Sequence, residues 1–222
     1  IVASNSLYGG TYNLLSNTLP RFGITTTFID PDDPENFSKA VQENTRAFFA
    51  ESLGNPKLDV LDLKAISANA KKAKVPFVVD NTVATPALLN PIAHGANIVI
   101  HSLTKYISGN GTSMGGIIID AGTFDWGNGN FPEFTEPSPS YHGLNYHEAL
   151  GNIAFIAKAR VEGLRDFGSA PSPFNSFQTI QGIETLDIRM KKHSENALKL
   201  AAWLSTREEV AWVNYPGLKT SN

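Results

Sequence analysis

An α/β fold, with a mostly parallel sheet and helices on both of its faces, is predicted by three features of this 222-residue chain. Short runs rich in β-branched and aromatic residues recur along it, helical stretches separate them, and each interval is long enough for a crossover connection. Apolar residues make up 41% of the chain and charged residues 18%, which is enough to bury a core and too apolar for disorder. The length suggests one domain with part of a second. Residues 1–170 read as a large domain, and 171–222 as a long helix and the start of an incomplete C-terminal domain.

The chain begins at Ile1 in what reads as the tail of a strand. Residues 24–29, 47–50, 77–79 and 97–101 follow as four buried strands, short and rich in Val, Ile, Phe and Thr. Between them, 35–44 and 60–73 carry helix-forming residues, and the second sets Leu61, Ile66, Ala70 and Ala73 on roughly one face. Pro76 stops that helix and opens the next strand. After Lys105 the glycines Gly109, Gly111, Gly115 and Gly116 mark a loop before an added strand at 117–119. Residues 122–146, dense in Gly, Pro and Phe, read as a long loop, and loops of that length in a compact domain usually have a function. From Glu148 to about Arg207 the pattern is helical, with a break near 168–173 and a long second helix at about 174–204.

Composition removes several functional classes. With 18 Lys+Arg against 21 Asp+Glu, the net charge of −3 offers no basic field to nucleic acid. The chain has no cysteine, which excludes disulfides, thiolate zinc sites and cysteine nucleophiles, and fits a reducing compartment. No window approaches eighteen uninterrupted apolar residues, and IVASNSLYGG lacks the basic start of a signal peptide. A cytoplasmic protein without a membrane partner is expected.

Chemistry concentrates in VVDNTVATP and HSLTKYISGNG. Asp80 follows one apolar strand, and Ser102, Thr104 and Lys105 follow another; in a parallel sheet both strand ends open on the same carboxyl edge. Ser102 and Thr104, two apart in an extended segment, would share a side and could hold an anion. Any one of these residues alone reads more simply as a solvated charge or a cap. Together, an amine, a carboxylate and paired hydroxyls are what pyridoxal 5'-phosphate needs: a Schiff-base partner, an acid for the pyridine nitrogen and donors for phosphate oxygens. Tyr8, in SLYGGTY, can cover a ring face, with its two glycines allowing close approach.

The segments SLYGGTYNLL, FAESLGNPKLDVLDL, VVDNTVATPALLNPIAHGANIVIHSLTKYISGNGTSMGG and SPFNSFQTIQGIETLDIRMKKHSENALKLA, in that order, resemble the Cys/Met-metabolism family of fold-type I pyridoxal-phosphate enzymes. GTSMGGIIIDAGTFDWGNGNFPEFTEPSPSYHGLNY and ARVEGLRDFG resemble its O-acetylhomoserine sulfhydrylase branch. The resemblance implies a PLP-binding large domain and a γ-replacement in methionine and cysteine biosynthesis: O-acetyl-L-homoserine and sulfide give L-homocysteine and acetate. Cystathionine γ-synthase or γ-lyase activity on the same scaffold is the enzymatic alternative, and an inactive truncated fragment without cofactor is the non-enzymatic one.

The resemblance also implies roles. Lys105 would form the Schiff base and shuttle protons, in a desolvated setting that favours its neutral form. Asp80 would pair with the pyridinium nitrogen, Ser102 and Thr104 with the phosphate, Asn55 with the phenolate oxygen, and Tyr8 would stack on the ring and assist proton transfer. Glu51 and Thr82 would support these groups from behind. The family's phosphate loop would precede Ile1 and its substrate-carboxylate arginine would follow Asn222, so both ends are expected to be missing. Neighbouring subunits complete the phosphate site in the family, which implies a homotetramer, a dimer of dimers, with shared active sites.

Other residues have plainer readings. His142, His147 and Glu148 lack the spacing of a helical zinc motif, and are expected to border the substrate entrance or hold the loop. His101, on a strand, should satisfy a buried hydrogen bond. Phe124, Trp126, Phe131, Phe134, Tyr141 and Tyr146 lie among Asp125, Glu133 and Glu136 with no Lys or Arg, so packing or subunit contact suits them better than a stacked nucleic acid. The glycines at 109–116 do not make a P-loop.

Overall fold

The computed structural model describes residues 1–219; the last three residues of the expected C-terminal portion, 220–222, lie outside them. Six strands form one sheet: β1 (Val2–Ser4), β2 (Thr27–Ile29), β3 (Phe48–Glu51), β4 (Phe77–Asp80), β5 (Ile98–Ser102) and β6 (Gly116–Asp120). Their order is β2-β1-β3-β4-β5-β6. The first five run parallel, and β6 is antiparallel to β5, the chain returning beside it through residues 103–115, one helical turn and a glycine-rich loop. Every strand expected from the sequence is present, displaced by no more than a few residues.

Strand alternation sends side chains to two faces, and both are covered. Helix α1 (Gly9–Asn13) follows β1, and Phe48, Ala50, Phe77, Val79 and Val99 bury one face against Phe37 of α2 (Glu35–Lys39) and Leu63, Ile66 and Ala70 of α3 (Leu63–Lys72). Helix α3 begins three residues later than expected because Asp62 caps it, accepting from Ala65 N at 3.0 Å. Helix α2 is five residues shorter than expected; beyond it the Thr45 hydroxyl accepts from Gln42 N at 2.8 Å and closes a turn that competes with the helix.

The opposite face has a cover that the sequence reading treated as a loop. Residues 122–146 are a folded aromatic cluster on Ile98, Val78 and Ile100, closed by a helix over 154–167. Trp126 is its centre, stacked on Phe134 at 4.4 Å and Phe155 at 5.1 Å, with Phe124 and Phe131 edge-on. Aromatic side chains bury large areas, so this many of them fold a glycine-rich segment whose regular structure is limited to short turns at Pro132–Thr135 and Pro139–Tyr141. Packing is therefore the role they have here.

A polar lock fastens the cluster. Glu162 accepts from Tyr146 Oη (2.9 Å), Ser138 Oγ (3.0 Å), Ser140 Oγ (2.7 Å) and Lys158 Nζ (2.7 Å). Desolvation alone would raise its pKa, but these donors outweigh it and hold the carboxyl at about 2. Fully buried Tyr146 is pushed up to about 12 by desolvation and by its bond to Glu162. The His147 ring lies close against Gly127 and His142 against Tyr141, so both histidines hold this segment, as one of the two expected roles had it.

The chain breaks at Gly168, as expected, and restarts at Ser172, which caps α4 (Pro173–Glu184) by accepting from Asn175 N. The single helix expected over 174–204 is two helices, α4 and α5 (Leu186–Leu204). The Gly182 carbonyl is taken by Thr185 N and by Arg189, which interrupts the helical ladder at Thr185. Leu186 and Met190 of α5 pack on Ile107, next to the segment that carries Lys105. Among the described residues, no helix is long and apolar enough to cross a membrane.

Truncating a buried tryptophan removes its contacts and leaves a cavity, at about 3–5 kcal/mol. Trp126→Ala is expected to lower unfolding free energy by about that amount in urea titrations. A loss under about 1 kcal/mol would show that the aromatic segment does not belong to the cooperative core.

Candidate active site

The parallel register decides where the polar residues emerge. Glu51 pairs with Asp80 across β3 and β4, and Asp80 with Ile100 across β4 and β5, so Ser102 lies two residues further along the same edge. By the alternation of side chains, Glu51 follows Phe49, Asp80 follows Val78 and Ser102 follows Ile100, so all three leave the same face. There the aromatic cover ends, and a cavity of about 780 Å³ opens at the carboxyl edge. Tyr8, Glu51, Asn55, Asp80, Thr82, Ser102, Thr104 and Lys105 all line it. The structure thus brings together every site residue expected from the sequence.

Thr82 ties two strand tips together. Its hydroxyl donates to Asp80 Oδ1 at 2.5 Å and accepts from Ser102 N at 2.8 Å, while its amide also donates to Asp80 Oδ1, at 2.9 Å. Behind it, fully buried Asn81 accepts from Ser52 Oγ at 2.7 Å and donates to the carbonyls of Thr85 and Leu89. Every polar atom of the Asn81 amide is used, which suits a buried polar group fixing three chain segments at once.

Glu51 holds the aromatic wall. It accepts from Tyr8 N at 2.6 Å, at the entry to the helix Gly9–Asn13. Desolvation raises its pKa to about 7, with the Asp80 carboxylate adding to the rise and the Tyr8 amide opposing it. The Tyr8 ring itself is 53% exposed to the cavity. A Cβ on Gly10 would stand 2.5 Å from that ring, so Gly10 makes room for Tyr8, whereas Gly9 faces open space. Gly10 thus serves the chain's own ring, and Gly9 keeps the open backbone expected for close approach of a planar ligand.

Lys105 sits in a turn over Leu103–Ile107 with φ −92° and ψ −130°, outside helical values. Its Nζ lies 6.0 Å from the Tyr8 ring centroid. Two expectations change here. Lys105 is exposed in the cavity, so this chain's own residues do not supply the desolvation expected around it. Ser102 and Thr104 are not on one extended stretch: Ser102 ends β5, and Thr104 lies within the turn, its hydroxyl against Gly115 O at 3.4 Å. His101 is buried and keeps one hydrogen bond, to the Asn81 main chain, while its Nδ1 finds no partner among the described residues; burial lowers its pKa below 6.5, with that bond and the Asp80 carboxylate opposing.

Helix α5 supplies a wall the sequence reading missed. Arg189, Lys192, His193 and Asn196 line the cavity, and their i, i+3, i+4, i+7 spacing is a polar helical stripe. The stripe is legible in RMKKHSEN; that it faces a cavity is not. His193 packs on Tyr106 at 5.3 Å.

An amine, a carboxylate pinned by a threonine, two hydroxyls and an aromatic face around one cavity suit a flat cationic heteroaromatic ring with an aldehyde and a phosphate. The donor set fits pyridoxal 5'-phosphate. The fold and cavity have the architecture of the class of α/β enzymes that hold this cofactor on a lysine at the carboxyl edge of the sheet. Within that class, the chain belongs to the family of Cys/Met metabolism PLP-dependent enzymes, whose model matches residues 1–222.

The chain is 60% identical to an O-acetyl-L-homoserine sulfhydrylase of Leptospira meyeri, over 99% of this chain and 52% of the relative. It is 49% identical to a homocysteine/cysteine synthase of Saccharomyces cerevisiae, over 98% of this chain and 50% of the relative. A crystal structure from Campylobacter jejuni, named as an O-acetylhomoserine (thiol)-lyase with N'-pyridoxyl-lysine-5'-monophosphate, superposes with a TM-score of 0.95 at 42% identity, covering 99% of this chain and 55% of that one. The chain spans about half the length of the relatives it matches.

Glu51 gives the cavity a pH signature. With its folded value near 7 against an ordinary 4.5, the folded state binds the proton more tightly. The stability from this group is fullest below pH 4.5 and is lost as pH rises through about 7. Glu51→Gln keeps the acceptor for Tyr8 N and removes the titration. Its thermal midpoint should gain on the parent's as pH rises from about 5 to about 8. A difference constant across that range would show that Glu51 titrates as an ordinary carboxylate.

Proposed function

We propose that this chain is the cofactor-binding part of an enzyme that exchanges the acetate of O-acetyl-L-homoserine for sulfide, giving L-homocysteine. The observation that carries the reading is the convergence of Tyr8, Asp80, Ser102, Thr104 and Lys105 on one cavity. The names of the relatives support the substrate.

Pyridoxal 5'-phosphate, when bound, supplies an electron sink that acidifies the hydrogens next to the substrate's amine-bearing carbon and allows acetate to leave from Cγ. In this reading Lys105 Nζ holds the group covalently and, when free, carries protons between substrate carbons. The Asp80 carboxylate keeps a proton on the ring nitrogen, and Thr82 holds Asp80 in place for it. Ser102 and Thr104 donate to phosphate oxygens, Asn55 to the phenolate oxygen, and Tyr8 covers one ring face. Tyr8 depends on Glu51 for its main-chain position.

The domain division at residue 170, the homotetramer and a cytoplasmic location belong to the same proposal. The polypeptide break at Gly168 supports the first. Exposed Phe174, Phe177 and Ile180 on α4 supply apolar surface that an oligomer could use.

Lys105→Ala is expected to cut homocysteine formation from O-acetylhomoserine and sulfide by on the order of 10²–10⁴-fold, the usual reach of a positioned acid–base group. Wild-type turnover in this variant would overturn the proposal. Preference for cysteine over sulfide, or release of 2-oxobutanoate, would move the reading to a γ-synthase or a γ-lyase.

A further inference from the structure

Arg189 lines the cavity, and a lone arginine there invites an anion-binding reading. Its hydrogen bonds point elsewhere. Nη1 donates to Tyr106 O at 2.8 Å, Nη2 to Gly182 O at 2.8 Å and to Ile107 O at 3.3 Å, and Nε to Thr185 Oγ1 at 3.1 Å. A guanidinium has five N–H donors in a rigid fork. Four are engaged by this chain, three of them by main-chain carbonyls, which leaves little for a ligand.

Two of those carbonyls belong to the residues immediately after Lys105. The last carbonyls of a helical turn have no partner within it. Here the turn ends at Ile107, and Gly109 then takes a left-handed φ of +71°. A Cβ on Gly109 would stand 2.5 Å from Arg189 Nη1, so the glycine leaves room for the guanidinium. Arg189 thus caps, from a separate helix, the kinked turn that carries the lysine.

We propose that Arg189 is a positioning residue: by capping the open carbonyls of Tyr106 and Ile107 it fixes the turn that presents Lys105 Nζ to the cofactor aldehyde. The inference rests on the proposed function, because it assigns Lys105 the covalent attachment. In that attachment amine and aldehyde join with loss of one water, and borohydride supplies the hydride that reduces the resulting C=N bond.

The test follows that labelling with time in the cofactor-free full chain, mixed with pyridoxal 5'-phosphate and borohydride, with the label mapped by mass spectrometry. Arg189→Gln should label Lys105 at least about tenfold more slowly than wild type, the equivalent of one lost charge-assisted hydrogen bond. Arg189→Lys should fall between, and added guanidinium ion should restore part of the Arg189→Gln rate, which a general loss of stability would not allow. Wild-type rates in whichever Arg189 variant folds would overturn this role alone. A wild-type chain that never takes up label on Lys105 would overturn the proposed function and this role with it.

Discussion

The parallel register of β3, β4 and β5 is the constraint on which the rest of the structure depends. Glu51 stands opposite Asp80, and Asp80 opposite Ile100, so three strands deliver their last side chains to one edge. Strand alternation then puts Glu51, Asp80 and Ser102 on one face. A slip of one residue in any pair would turn its polar group onto the packed face that holds Phe77, Val79 and Val99. The same hydrophobic alternation that buries the core therefore aims the cavity residues.

Polar groups at strand tips need partners as soon as packing removes water. Thr82 and Asn81 meet that need: one hydroxyl joins the Asp80 carboxylate to the Ser102 amide, and one amide joins Ser52 to the carbonyls of Thr85 and Leu89. Glu51 shows the opposite balance. Its burial raises its pKa to about 7, a cost accepted where its oxygen fixes the Tyr8 amide. Conflicts of this kind between stability and a polar group are expected where a structure is organised for function.

A sheet apolar on both faces needs two covers. Helices α2 and α3 provide one, and the segment 122–146, with only short helical turns and much side-chain bulk, provides the other together with the helix over 154–167. Trp126 fills its centre, and the Glu162 carboxylate gathers Tyr146, Ser138, Ser140 and Lys158 at its edge. Because that cover stops short of the strand tips, the second face stays open where Asp80 and Ser102 emerge. The aromatic segment thus bounds the site without lining it.

The sequence by itself determined the strands, their parallel order of appearance and the identity of the residues at their tips, because β-branched runs, Pro76 and the intervals between them are local signals. The motif residues from Tyr8 to Lys105 were legible for the same reason, with the family resemblance adding Asn55, Glu51 and Thr82. Only the tertiary structure decided that Gly10 serves the Tyr8 ring, that Thr104 bends back toward Gly115, that Lys105 is exposed, and that the helix expected over 174–204 breaks at Thr185. It also decided that the stripe Arg189, Lys192, His193 and Asn196 faces the cavity and that Arg189 spends its donors on the lysine's own turn. Arg189 reaches carbonyls 83 and 82 positions away, and even the nearer contacts of Gly10, Thr104 and Thr185 depend on how side chains pack, which neither periodicity nor propensity encodes.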